Sequence, residues 1–301
     1  MRTEEDRMTP LGTDREAVPD MPNRLGLNGI EFIEYATTRP QALGHVLETM
    51  GFKPIARHRS REVMLYRQGG MNLIVNAHRE DARVSALVDE KPVISAVAFR
   101  VKDALRAHTR CVELGAWPVP SHAQAMELHI PAIHGPGGSR IYLVDRWTEF
   151  SIYDIDFKPI PGVDQQPPAL AGLDYFGLVQ YVDPGRSEDW IRYYETMFDF
   201  STVPEDQRYG ILPKGKVLKS PCGQFMWQLI EPDPWMESDR APENLERIGL
   251  GTPDVGQAVA LLKDRGVEFI ETSSLHPEDR GALTRRELGS VAFELVHRTG
   301  D

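Results

Sequence analysis

Gly29-Ile30-Glu31-Phe32-Ile33-Glu34-Tyr35 opens a pattern that decides the fold. Its side chains alternate in strand fashion. It is followed by residues 41–50, where Leu43, Val46, Leu47 and Met50 fall on one helical face, and then by Gly51-Phe52. Strand side chains repeat every two residues and helical ones about every 3.6, so a strand followed by an amphipathic helix is predicted. Glycine accepts the left-handed turn that ends a helix, which makes Gly51 a stop signal. The layout recurs. A second copy has a strand over 94–101, a helix over 104–114 and Gly115; a third has a strand over 173–179 and a helix around 189–198. A fourth has a strand over 245–250, a helix over 255–265 with Val255, Ala258, Val259 and Leu262 on one face, and Gly266. Asp103 and Asp254 are placed to cap two of these helices.

The copies keep register. Ala96 and Leu143 are 47 residues apart, as are Arg247 and Glu294, each pair joining the first strand of a repeat to its last. Two halves of two βαβββ units follow, an α+β architecture. Residues 25–158 form an N-terminal domain, the proline-rich 159–171 a linker and 172–301 a C-terminal domain; 1–24 is read as a disordered extension. A βαβββ unit leaves one sheet face uncovered, and two units can close it into a cup around a small-molecule cavity.

Composition narrows the function. The chain has 301 residues, 41% hydrophobic and 26% charged, with a formal net charge of -11. The acidic balance disfavours nucleic acid and anionic membranes, which need a basic footprint. No apolar run has the length of a bilayer-spanning helix. Cys111 and Cys222 read as two free thiols in a cytoplasmic protein. Glu294, flanked by Phe293 and Leu295 in an apolar strand, reads as a carboxylate pointing into a pocket.

The N-terminal half resembles bacterial 4-hydroxyphenylpyruvate dioxygenase. The resemblance runs through Gly29–Ala36, from His58-Arg59-Ser60 to Asn72-Leu73-Ile74-Val75-Asn76, and through Val97-Ala98-Phe99-Arg100-Val101-Lys102-Asp103. It continues through Met126-Glu127-Leu128, Pro131-Ala132-Ile133, Tyr142-Leu143-Val144-Asp145-Arg146 and Ser151-Ile152-Tyr153-Asp154-Ile155-Asp156-Phe157. The C-terminal half matches more loosely. The resemblance implies the vicinal oxygen chelate fold, a structural N-terminal domain and self-association. It also implies a C-terminal Fe(II) held by two histidines and a glutamate, with open positions for a 2-oxo acid and O2. On the matching positions this chain keeps Glu294 but has Tyr175 and Arg247 in place of the histidines. Arginine is always charged and has no lone pair for a metal, so no conventional Fe(II) is expected. The resemblance puts Trp227 and Gln228 on a strand beside the cavity and a polar contact near Thr284. The family's closing helix has no match before Asp301, so the cavity is expected to be more open or capped differently.

Three readings stay open. The chain is a dioxygenase-family enzyme or derivative acting on a small aromatic or 2-oxo acid, with Arg247 anchoring the carboxylate. Or it is a non-catalytic binding or assembly protein, in which Arg247 and Glu294 form a clamp in place of the metal. Or Tyr175 or Glu294 moves a proton in a metal-free isomerase or dehydratase. The remaining motifs are read as structural. His58, His122, His129 and His134 are surface histidines rather than a zinc set. Gly135-Pro136-Gly137-Gly138 is a hairpin turn rather than a phosphate loop, since no Lys-Ser/Thr follows. Trp190, Tyr193, Tyr194 and Phe198 pack against a sheet.

Overall fold

The computed structural model describes residues 22–85, 91–120, 128–148, 150–204, 215–231, 243–270 and 281–298. Most of the expected N-terminal extension, and His122, lie outside the described residues.

The N-terminal half runs β1 (Ile30–Ala36), α1 (Pro40–Thr49), β2 (Lys53–His58), β3 (Val63–Gln68), β4 (Met71–Asn76) and a one-turn α2 (Ala82–Ser85). It continues with β5 (Val93–Arg100), α3 (Ala104–Glu113), β6 (Ala132–His134), β7 (Arg140–Val144), a one-turn α4 (Tyr153–Asp156) and β8 (Phe157–Pro159). The C-terminal half runs β9 (Asp174–Tyr181), α5 (Ser187–Phe198), β10 (Ser201–Thr202), β11 (Lys216–Lys219) and β12 (Met226–Ile230). It ends with β13 (Asn244–Thr252), α6 (Val255–Asp264), β14 (Gly281–Leu283) and β15 (Phe293–His297). The repeat pattern thus appears as strands and helices in the expected order. In the second and fourth copies two strands, β6 and β7 or β14 and β15, follow the helix within the repeat among the described residues, and β8 pairs instead with β2.

Local chemistry explains the helix ends. The Asp103 carboxylate accepts from the Arg106 amide (2.9 Å) and the Asp254 carboxylate from the Gln257 amide (2.8 Å), as N-caps do. Gly51, Gly115 and Gly266 follow three helices with φ of 98°, 98° and 95°, which only glycine adopts without strain. Gly135 N donates to Ser139 O (2.9 Å) in the turn that joins β6 to β7, the predicted hairpin.

The strands form two mixed sheets, β6-β7-β5-β1-β4-β3-β2-β8 and β10-β11-β12-β9-β13-β15-β14. At each centre the first strands of two repeats pair antiparallel, β1 with β5 and β9 with β13. Each of these strands pairs in parallel with the last strand of its own repeat. One face of each sheet carries the helices, and the helix-facing side chains of both halves merge into a single core. Phe99 of β5 sits at its centre, its ring 5.3 Å from Phe198 and 5.3 Å from Phe225 of the other half. The opposite sheet faces form the cups. A second cluster, including Phe32, Ile74, Ala98 and Tyr153, lines the N-terminal one.

This arrangement shifts one inferred correspondence. Leu143 belongs to the shared core, whereas its neighbour Tyr142 lines the N-terminal cup. The ladders pair Ala98 with Tyr142 and Gly249 with Glu294. The counterpart of Glu294 is therefore Tyr142 and not Leu143. Equal spacing gave the right strands but the wrong face, because one residue of slip turns a strand side chain over.

Candidate functional site

Glu294 stands on β15 beside Gly249 of β13, and Arg247 lies two residues back along β13 on the same face. Arg247 Nε donates to Glu294 Oε2 at 3.1 Å, with side chains only 3% and 4% exposed. Arg247 Nη2 is buried and meets no hydrogen-bond partner among the described residues. Removing two charges from water costs several kcal/mol per ion, a cost that their mutual attraction offsets here. Glu294 and Gln228 line a cavity of about 20 Å³ with Phe176, Met226 and Val296. That volume holds roughly one water molecule.

Tyr175 does not converge with this pair, which corrects the expected trio. The β9–β13 ladder pairs Gly249 with Gly177 and Leu250 with Tyr175, leaving Phe176 as an extra residue. Such a bulge re-aims the neighbouring side chains. Phe176 lines the cavity, while Tyr175 packs in the shared core and donates its hydroxyl hydrogen bond to Asn72 O of the N-terminal half. Burial, reinforced by the negative charge of Glu31, pushes the Tyr175 hydroxyl well above its ordinary range. It stays protonated, so it serves neither as a base nor as a phenolate ligand. Gly177 follows from close packing: a Cβ there would sit 1.9 Å from Met226 O on β12.

Trp227 is a second correction. It is fully buried, donates from Nε1 to Gln180 Oε1 (2.9 Å) and lies 4.8 Å from the tilted ring of Tyr194, whose hydroxyl donates to the same oxygen. It alternates with Met226 and Gln228, which face the cavity, so β12 turns it toward the helices. Thr284 is a third. Its hydroxyl accepts from the Phe293 amide (2.9 Å) and its amide donates to Phe293 O (3.0 Å), extending the β14–β15 pairing. It lines no described cavity. Gln228 lines the same cavity as Glu294.

The donor set does not suit Fe(II). One family ligand position carries a cation, another is turned into the core and the third, Glu294, is engaged by that cation. Among the described residues no cluster of three His, Cys, Asp or Glu side chains has metal-binding geometry.

A larger cavity, about 180 Å³, lies in the N-terminal cup, where sequence reasoning placed no site. Its polar end carries Glu34, Asp81, Arg83, Arg140 and Tyr142. The signal was present: Glu34 is a carboxylate in a strand buried from end to end, and Glu294 lies in a strand buried up to its last residue. Elsewhere Glu31 pairs with Arg100 (2.6 Å), and its burial raises its pKa against that pairing.

Back-to-back mixed sheets, each a pair of strand–helix–strand repeats with a cup on its outer face, define a protein of the vicinal oxygen chelate fold. A solved fusion of a xylose isomerase-like TIM barrel with a 4-hydroxyphenylpyruvate dioxygenase superposes with a TM-score of 0.75 at 24% identity. The match covers 94% of this chain and 51% of that one, so the chain spans about half of the fusion. The chain belongs to the 4-hydroxyphenylpyruvate dioxygenase family. Residues 21–158 match the family model for the N-terminal part of hydroxyphenylpyruvate dioxygenase. The 4-hydroxyphenylpyruvate dioxygenase of Pseudomonas sp. (strain P.J. 874) is 44% identical, covering 93% of this chain and 91% of that protein. Hemolysin VllY of Vibrio vulnificus is 30% identical over 94% and 92%.

Proposed function

We propose that this family member binds a small aromatic or 2-oxo acid and does not perform Fe(II) dioxygenation at the family's C-terminal position. The observation that carries the reading is the buried Arg247–Glu294 pair, which puts a guanidinium where the resemblance implies a metal ligand. In this reading the pair acts as a clamp between β13 and β15. The reading of Arg247 as an anchor for a ligand carboxylate gains no support here: Arg247 does not line the cavity beside Gln228, and that space of about 20 Å³ holds roughly one water molecule. Proton transfer by Tyr175 has no support, since its hydroxyl is committed to Asn72 O.

In this reading residues 25–158 and 172–301 are two domains joined by 159–171, and the N-terminal one is not merely structural. The two free thiols support a cytoplasmic location, and among the described residues no helix is long and apolar enough to cross a membrane. The test is metal analysis of the purified protein together with O2 uptake on 4-hydroxyphenylpyruvate. The expected result is no stoichiometric iron and no uptake. Stoichiometric iron lost on Glu294→Ala, or homogentisate formed at a normal enzymatic rate, overturns the reading.

A further inference from the structure

The N-terminal cup combines an aromatic wall with a polar end whose charges are unevenly satisfied. Glu34 accepts from Arg83 Nη2 (2.9 Å) and from Ser95 Oγ (2.7 Å). Asp81 accepts from Arg83 Nε (3.0 Å) and Nη2 (2.8 Å). Arg83 is thus fully engaged by two carboxylates. Arg140 is not. Its Nη1 lies 3.5 Å from Asp81 Oδ2 and donates to Tyr142 Oη at 3.3 Å, both long contacts. Its Nε and Nη2 meet no side-chain acceptor among the described residues, and the guanidinium lines the cavity at 19% exposure. The Tyr142 hydroxyl accepts from Arg140, and its own proton has no acceptor among the described residues. Arg140 and Tyr142 therefore offer the cavity a guanidinium edge and an O–H donor side by side.

The rest of the wall is mixed: Phe32, Ile74, Leu128, Ile130, Tyr153 and Phe157 give it an apolar side, and His58, Arg61, Asn76, His78 and Asp156 lie around it. Phe32 lies 5.7 Å from the Tyr142 ring, and Tyr153 lies 5.8 Å from Phe157 edge to face. The cavity, about 180 Å³, is larger than the roughly 150 Å³ that admits benzene in an apolar protein interior. A single ring with one short substituent fits that space. The 20 Å³ space beside Glu294 does not admit one.

We infer that the N-terminal cup is a binding site for a monocyclic aromatic carboxylic acid. Its carboxylate is held by Arg140 and Tyr142, and its ring lies against Phe32 and Tyr153. The inference rests on the reading of the chain as an acid-binding protein and adds the location. A carboxylate suits the open donors because a guanidinium edge gives it two parallel charge-assisted hydrogen bonds. The ring is selected by flat aromatic neighbours that stack or meet edge to face. Asp81 does not block the site, because Arg83 already holds both of its oxygens.

Calorimetric titration of the full chain with benzoate, benzamide and 4-hydroxyphenylpyruvate tests this, on wild type and on Arg140→Gln and Tyr142→Phe. Wild type is expected to bind benzoate and to discriminate against the neutral benzamide. Arg140→Gln and Tyr142→Phe should each weaken benzoate by roughly 10–100-fold, within the range for lost hydrogen bonds to a charged group. Tyr142→Phe removes one oxygen and keeps the ring, so it reports on binding even if Arg140→Gln fails to fold. Acid binding that Tyr142→Phe and a folded Arg140→Gln both leave intact overturns the N-terminal location and spares the acid-binding reading. Absence of binding for both acids on wild type overturns the two together.

Discussion

Arg247 and Glu294 are the residues on which the family's chemistry turns. Breaking a buried pair strands a charge, so Arg247→Ala or Glu294→Ala should each destabilise by about 3–5 kcal/mol. Replacing both with Met and Leu should recover most of that loss, since apolar isosteres often substitute for buried pairs at little cost. Urea denaturation of the singles and the double closes the cycle. A double variant no better than the worse single would remove the clamp. Tyr175 teaches a different lesson. Its position in the motif was legible, but its direction was set by the unpaired Phe176, and no local sequence signal marks that bulge. The same applies to Trp227. A large aromatic residue on a cup-lining strand has even chances of facing either way until the register is known.

At the scale of elements, the helices were the most legible part. The apolar stripe, the capping aspartate and the terminal glycine agree for α3 and for α6, and each agreement is local chemistry that needs no partner strand. Asp103→Ala and Asp254→Ala should each cost about 1 kcal/mol of stability. The two caps sit in different halves, so the double variant should lose about the sum. Thermal or urea unfolding checks both. A loss from the double much larger than the sum would mean that the helices are coupled through the shared core. Strands were less legible than helices. The pairing of Ala98 with Tyr142 depends on how β5 and β7 align, and two residues on neighbouring faces look equivalent when only spacing is counted.

The whole molecule is held by one core that draws on both halves, and it buries tyrosines deeply. Burial pushes the hydroxyls of Tyr175 and Tyr194 in that core, and of Tyr153 beneath the N-terminal cup, well above 10. In the unfolded chain they ionise near pH 10. Below that pH their contribution to stability is constant. Above it the unfolded state releases protons that the folded state keeps, so stability falls as pH rises. Three such groups imply a slope of about 4 kcal/mol per pH unit above pH 10. Urea midpoints taken from pH 9 to 11 measure it, and a flat profile would contradict the burial of these rings. Self-association also belongs to this scale. Leu105, Val112, Leu114 and Trp117 are exposed apolar side chains on and just after α3, with Trp117 77% exposed. Light scattering should find an oligomer that Trp117→Glu weakens; a monomer at micromolar concentration would remove the expectation.

The sequence by itself determined the repeats, the helix ends, the α+β class and the family. These rest on periodicity and on residues that act within a few positions of themselves. It also determined that a guanidinium stands where a metal ligand is implied, because residue identity alone settles that chemistry. Tertiary structure decided what each side chain faces. It sent Tyr175 and Trp227 into the core, made Thr284 part of a strand pairing and brought Arg247 against Glu294. It also opened the roomy cup in the N-terminal half. The physical reason is that direction on a strand flips with every residue. Bulges and ladder register, which fix that direction, are set by contacts between segments far apart in the chain.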